Sequence, residues 1–152
     1  MNFENDIQWM ERALVLAHKA EAAGEVPVGA IIVKDNQLIS EGWNQPISSH
    51  DATSHAEIMA MRDAGKILNN YRLIDTTVYV TLEPCSMCVG AMIHARVKRV
   101  VFAAPEPRTG ALGGAFNLLE TNQHNHLFEV SSGVMAEESK LLLQSFFRAR
   151  RK

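Results

Sequence analysis

The sequence predicts an α/β protein, a three-layer α/β/α sandwich with helices on both faces of a mixed five-stranded sheet. Helix-like and strand-like segments alternate along the chain, the strand-like runs are apolar enough to be buried, and a short polar turn joins the first two of them. Ile7, Met10, Leu14 and Ala17 recur at helical spacing behind Asn5-Asp6, which can cap, and Gly24 offers a stop, so a helix is expected over 6–23. Pro27 forces a change of structure. Residues 28–33 read as a buried strand, Asp35-Asn36 as a turn and Leu38-Ile39 as the return strand of a hairpin, leading into a loop over 42–46. Ser54, Glu57, Ile58, Met59 and Met61 open a second helix reaching Gly65. The β-branched and aromatic run 77–81 is a third strand, and Pro84 closes it just ahead of a helix over 86–95. A fourth strand follows at 99–103, and the two strand-helix-strand passages imply parallel neighbours with right-handed crossovers. A Gly/Pro-rich loop over 105–114, a short fifth strand at 127–130 and a helix over 137–150 complete the chain.

With 152 residues and 47% hydrophobic content, the expectation is one domain over 1–152 that buries a core without disulfides. Fifteen Lys and Arg against 17 Asp and Glu give a net charge of −2, which excludes a globally basic nucleic-acid coat. A polyanion partner must therefore meet a local patch. No apolar run approaches the roughly 20 residues of a membrane helix, and residues 1–6 lack the cationic start and apolar stretch of a signal peptide, so a cytoplasmic chain without membrane attachment is expected. The two cysteines, Cys85 and Cys88, stand too close in sequence to be a disulfide framework.

The informative residues occupy two predicted helix starts, His55-Ala56-Glu57 and Pro84-Cys85-Ser86-Met87-Cys88. Unpaired amides and the helix dipole favour thiolates there. His55 with Cys85 and Cys88 makes a three-ligand set, and zinc held by three protein ligands keeps a fourth position for water, as in catalytic centres. Glu57 lies about 200° from His55 on an ideal helix, yet near a helix start it can reach a molecule resting on the metal and serve as general acid and base. Taken singly, each signal has a plainer meaning. Ser54-x-x-Glu57 matches a capping box, and Cys85-x-x-Cys88 alone matches a redox pair between strand and helix. The combination favours hydrolytic removal of an amine from an unsaturated carbon.

These residues resemble the zinc-dependent nucleoside and nucleobase deaminases and, within them, the bacterial tRNA-specific adenosine deaminases. The likeness also takes in residues 25–30, Gly42-Trp43-Asn44, Tyr71-Arg72-Leu73, the run 79–85 and Phe146-Phe147-Arg148. It implies a cytidine deaminase-like sandwich, one Zn2+ per subunit on His55, Cys85 and Cys88, and a homodimer. The implied reaction converts the wobble adenosine of a tRNA anticodon, expected to be that of an arginine tRNA, to inosine. By the same resemblance Glu57 shuttles protons, Asn44 hydrogen-bonds the purine, Val28 packs on its face, and Ala56 and Glu106 belong to the substrate site. In that family the position of Glu106 is most often Asp. Here Glu106 keeps the charge with a longer reach, Pro105 removes a backbone donor and stiffens the approach, and neutral Gln45 replaces a position often basic in relatives.

RNA contact is expected from Phe147 and the cations Arg148, Arg150, Arg151 and Lys152, which can stack on a base and grip phosphates, with Arg96, Lys98, Arg99 and Arg108 as possible extensions. Three rivals remain open: a deaminase of a free base or nucleoside such as guanine, an RNA-binding adaptor with structural zinc, and a redox protein.

Overall fold

The computed structural model describes residues 3–121 and 124–150. Its elements are α1 (Phe3–Ala22), β1 (Gly29–Lys34), β2 (Gln37–Trp43), α2 (Ala56–Leu68), β3 (Thr76–Leu82), α3 (Ser86–Ala95), β4 (Arg99–Ala104), a 3-10 turn (Leu118–Glu120), β5 (Glu129–Ser132) and α4 (Ala136–Arg150). The five strands form one mixed sheet in the order β2-β1-β3-β4-β5.

Asp35 and Asn36 both take positive φ, which turns the chain within two residues and pairs Lys34 with Gln37. β2 then runs on to Trp43, into the stretch expected as loop, because 41–43 pair with 29–31 of β1. The first crossover also departs from expectation. β3 pairs antiparallel with β1, so β2 and β3 run parallel with β1 between them, and the true parallel neighbours are β3-β4 and β4-β5. β5 starts two residues later than expected.

Alternation along the strands feeds two cores. Ala30, Ile32, Val78, Val80, Val100 and Phe102 meet α2 and α3 on one face, whereas Ile31, Val33, Tyr79, Val101 and Ala103 meet α1 on the other. Val134 and Met135, which lead into α4, pack in the α1 core. At the metal end the layers close tightly: a Cβ on Gly42 would run into Ala56 O and Ala60 N, so the first turn of α2 rests directly on β2. Both functional helix starts thereby lie at one end of the sheet. Among the described residues no helix is long and apolar enough to cross a membrane.

Candidate metal centre

α2 and α3 begin in the same way. His55 and Cys85 are their N-cap residues, both extended, with φ/ψ of −69/156 and −79/175, and neither side chain caps its own helix. Both side chains are free to point at one spot, and Cys88, one turn into α3, joins them. His55 Nδ1 lies 3.7 Å from Cys85 Sγ and 3.5 Å from Cys88 Sγ, and all three ligand atoms fall within 4.8 Å of one another. Tetrahedral zinc, with Zn–S of ~2.3 Å and Zn–N of ~2.0 Å, separates nitrogen from sulfur by roughly 3.5 Å. The donor set fits zinc through Nδ1 without rearrangement.

The sulfurs hold their protons unequally. Cys85 is pulled well below the usual thiol range by the hydrogen bond from the Cys88 thiol and by His55, while Cys88 is pushed up by that same bond and by burial. The His55 imidazole is raised, chiefly by its hydrogen bond with Cys85.

A family model of the cytidine and deoxycytidylate deaminase zinc-binding region matches residues 3–104. A tRNA-specific adenosine deaminase of Haemophilus influenzae is 52% identical over 97% of this chain and 86% of its own, and one of Bacillus subtilis is 43% identical over 97% and 91%. A solved structure from work on A-to-I editing by tRNA:A34 deaminases at the wobble position of transfer RNA superposes with a TM-score of 0.85 at 37% identity, covering 90% of this chain and 99% of that one. The chain belongs to the tRNA-specific adenosine deaminase family. The family's zinc-binding region and the geometry of His55, Cys85 and Cys88 together give this deaminase one zinc per subunit.

The remaining expected site residues fall into three groups. Glu57, Ala56 and Val28 are buried, Glu57 against Cys88, and Ala56 and Val28 in the same core cluster as Cys88. Burial pushes the Glu57 carboxyl up to about 7, against the pull of its own backbone N–H and of His55. The capping-box alternative does not form: Ser54 stands one residue before the N-cap and donates to Asp51 Oδ2 instead. Its place is taken by Asn44, whose Oδ1 accepts the Ala56 N–H at 2.8 Å. That bond fixes the amide orientation, and the side-chain NH2 of Asn44 makes no hydrogen bond among the described residues. The Ala56 side chain is wholly buried and its amide belongs to Asn44.

Glu106 and Phe147 lie on a rim at the same end of the sheet. With Leu82, Lys140, Leu143 and Arg148 they help to line a cleft of about 660 Å3. Phe146 is buried under the exposed Phe147, edge to face at 5.4 Å between ring centroids.

The third group points elsewhere. Arg150 donates to Gly24 O and lies over the Phe146 ring at 4.8 Å, which ties α4 to the end of α1. Arg99 is bound to Asp6 at the opposite end of the sheet and cannot extend the cationic patch, and Arg96 and Lys98 precede it there. The separation follows from register, since Arg99 faces Thr77 whereas the metal group lies beyond Leu82, roughly 17 Å along the strand. Arg151 and Lys152 lie outside the described residues.

Two residues that lie in the matching stretches, but to which the likeness assigns no role, shape this site. Glu25, almost fully buried, accepts the amides of Ile47 and Ser48 at 3.2 and 2.7 Å, and Glu83 does the same for the 105–114 loop. A carboxylate inside an otherwise apolar strand end, as in Leu82-Glu83-Pro84, is the one signal that could have exposed the second.

Proposed function

We propose that this chain deaminates adenosine to inosine at the wobble position of a tRNA anticodon, with water as co-substrate and ammonia as product. The observation that carries the reading is the closure of His55 Nδ1, Cys85 and Cys88 into a zinc-sized triangle beside the buried Glu57 carboxyl. Zinc, when bound by three protein ligands, offers an open position at which a water becomes acidic near neutral pH. Glu57, buried beside the metal ligands, would take one proton from the attacking water and give it to the purine ring, then take a second from the hydroxyl newly formed at C6 and give it to the departing nitrogen, which leaves as ammonia. Asn44, held by the Ala56 amide, has its NH2 left to donate to a purine acceptor. Val28 supports that residue from below, since its carbonyl accepts the Asn44 N–H at 3.1 Å.

The cleft between α4 and the 105–114 loop suits the nucleotides that flank the target. Phe147 offers a stacking face, and Lys140 and Arg148 offer charge for phosphates. An arginine tRNA is the natural substrate in this reading, and the enzyme works in the cytoplasm, where tRNA is. It works as a homodimer of single-domain subunits. Support for pairing comes from a second cleft of about 790 Å3 between α2 and α3, lined by Ile58, Met61 and Ala91 beside the exposed Tyr71.

Incubation with an anticodon stem-loop carrying a wobble adenosine, with free adenosine and with free guanine tests the assignment. Ammonia should come from the stem-loop, with inosine in the product. Faster release from free guanine or adenosine would refute it.

A further inference from the structure

The geometry points to Glu83 as a positioning residue for this reaction: its buried carboxylate sets the 105–114 loop, and with it Glu106, against the bound nucleotide. The inference rests on the deaminase reading above.

Glu83 follows β3 and stands two residues before Cys85, with 3% of its surface exposed. Among the described residues no cation pairs with it. Its partners are backbone amides: Oε1 accepts from Glu106 at 2.9 Å, and Oε2 accepts from Leu112 at 2.9 Å and from Gly114 at 2.8 Å. The loop wraps the carboxylate so closely that a Cβ on Gly110 or Gly114 would collide with it. Gly110 N–H closes onto Glu106 O, and Ala111 N–H onto Pro84 O. The Glu106 side chain turns back to accept the Arg108 N–H, so its conformation depends on the loop that Glu83 holds.

Burying a carboxylate is costly unless donors meet it, and an apolar side chain could fill this strand end without that demand. What the carboxylate adds is a single anchor that gathers three amides spread over residues 106–114. Because Pro84 alone separates it from Cys85, the anchor keeps the substrate rim in register with the metal ligands.

Glu83→Gln keeps the shape but has one acceptor oxygen, which can serve at most two of the three amides. The favourable arrangement leaves the oxygen on Leu112 and Gly114 and turns the NH2 against the Glu106 amide. The variant should retain one zinc per chain, lose hydrogen-exchange protection at Glu106, and raise KM for the anticodon stem-loop about tenfold with kcat nearly unchanged. Gly114→Ala, which pushes the loop off an intact Glu83, should reproduce that KM effect. Glu83→Gln combined with Glu106→Ala should be no worse than Glu106→Ala alone. Unchanged exchange at Glu106 in Glu83→Gln, or lost protection with wild-type KM, overturns the assignment. A wild-type enzyme inactive on the stem-loop would count against the tRNA reading alone, and the exchange comparison would still decide the anchor.

Discussion

Each end of the sheet gathers buried charge, and the two do so in opposite ways. At the far end Asp6 accepts both Arg99 guanidinium nitrogens at 2.9 and 2.7 Å and the Tyr79 hydroxyl at 2.7 Å, so unlike groups answer one another. Burial alone would raise the Asp6 carboxyl, but Arg99 and Tyr79 outweigh it and hold it below its usual value. At the metal end the groups are alike: two sulfurs and a carboxyl share one small volume. There Glu57 is pushed up to about 7 by burial, and Cys88 is pushed up as well. The one group that offsets them, His55, is itself a ligand and cannot answer three acidic groups, so the set is complete only around a cation. The far-end cluster has its counter-ion built in and serves stability, while the near-end cluster draws its counter-ion from solution and serves chemistry.

The contrast breaks most sharply at His55. His55→Ala removes one of three ligands, so zinc should fall well below one per chain and ammonia release should drop to background. Metal analysis of purified protein beside the activity assay checks this, and full zinc with full turnover would dissolve the distinction between the two ends. Glu57→Gln should separate the metal from the chemistry. It keeps a neutral side chain of the same shape, so zinc and RNA affinity should persist while turnover falls about 10²- to 10⁴-fold, the usual worth of a positioned acid-base group. Wild-type turnover in this variant would remove Glu57 from its role.

Why the near end was legible in the sequence and its surroundings were not follows from the kind of partner each residue has. His55, Cys85 and Cys88 find one another through side chains of distinctive type placed at helix starts, and both strand ends and helix starts leave local signals. The sandwich was legible for the same reason, because Ile31-Ile32-Val33 and Val100-Val101-Phe102 advertise strands covered on both faces. β5 was placed two residues early because Leu127 and Phe128 carry the apolar signal. The ladder instead pairs Glu129–Ser132 with Arg99 to Phe102, and the pairing rather than its own hydrophobicity makes that edge a strand. Ser54 looked like a cap, but the cap came from Asn44, twelve residues upstream of Ala56. Glu25 and Glu83 were silent because their partners are backbone amides, which every residue owns and no sequence displays.

The far end offers a smaller test with the opposite outcome. Arg99→Met should leave Asp6 buried without its cation and held by the Tyr79 hydroxyl alone, with a stability loss of about 3–5 kcal/mol, while Asp6→Asn combined with Arg99→Met should recover much of it. Urea unfolding reads both. Zinc content and turnover of the folded protein should not change, since the pair lies at the other end of β3 and β4. The pH dependence has a definite sign. Because the Asp6 carboxyl is held below the ordinary carboxylate value of 3.8, its contribution is complete above that value and fades as the pH falls through the lower folded one. Acid should therefore close the stability gap between wild type and Arg99→Met. A gap that widens below pH 4 would show that the pair is not what Arg99 supplies.

The smallest effect distinguishes two cations of α4 that the sequence treats as equals. Arg148 lines the cleft beside Glu106, whereas Arg150 spends its guanidinium on Gly24 O and the Phe146 ring. A cation that meets an RNA phosphate releases a counter-ion and steepens the salt dependence of binding, and one already bound to a carbonyl does not. Arg148→Ala should therefore flatten the slope of log affinity against log salt for the anticodon stem-loop by about 0.7, the single-strand increment for one phosphate. Arg150→Ala should leave the slope alone and lower the melting temperature slightly, because it loosens α4 from the end of α1. Binding measured over a salt series separates the two. If the Arg150 variant flattens the slope as much as the Arg148 variant, the latch opens when RNA arrives, and the cationic surface reaches further toward the C-terminus than the free structure displays.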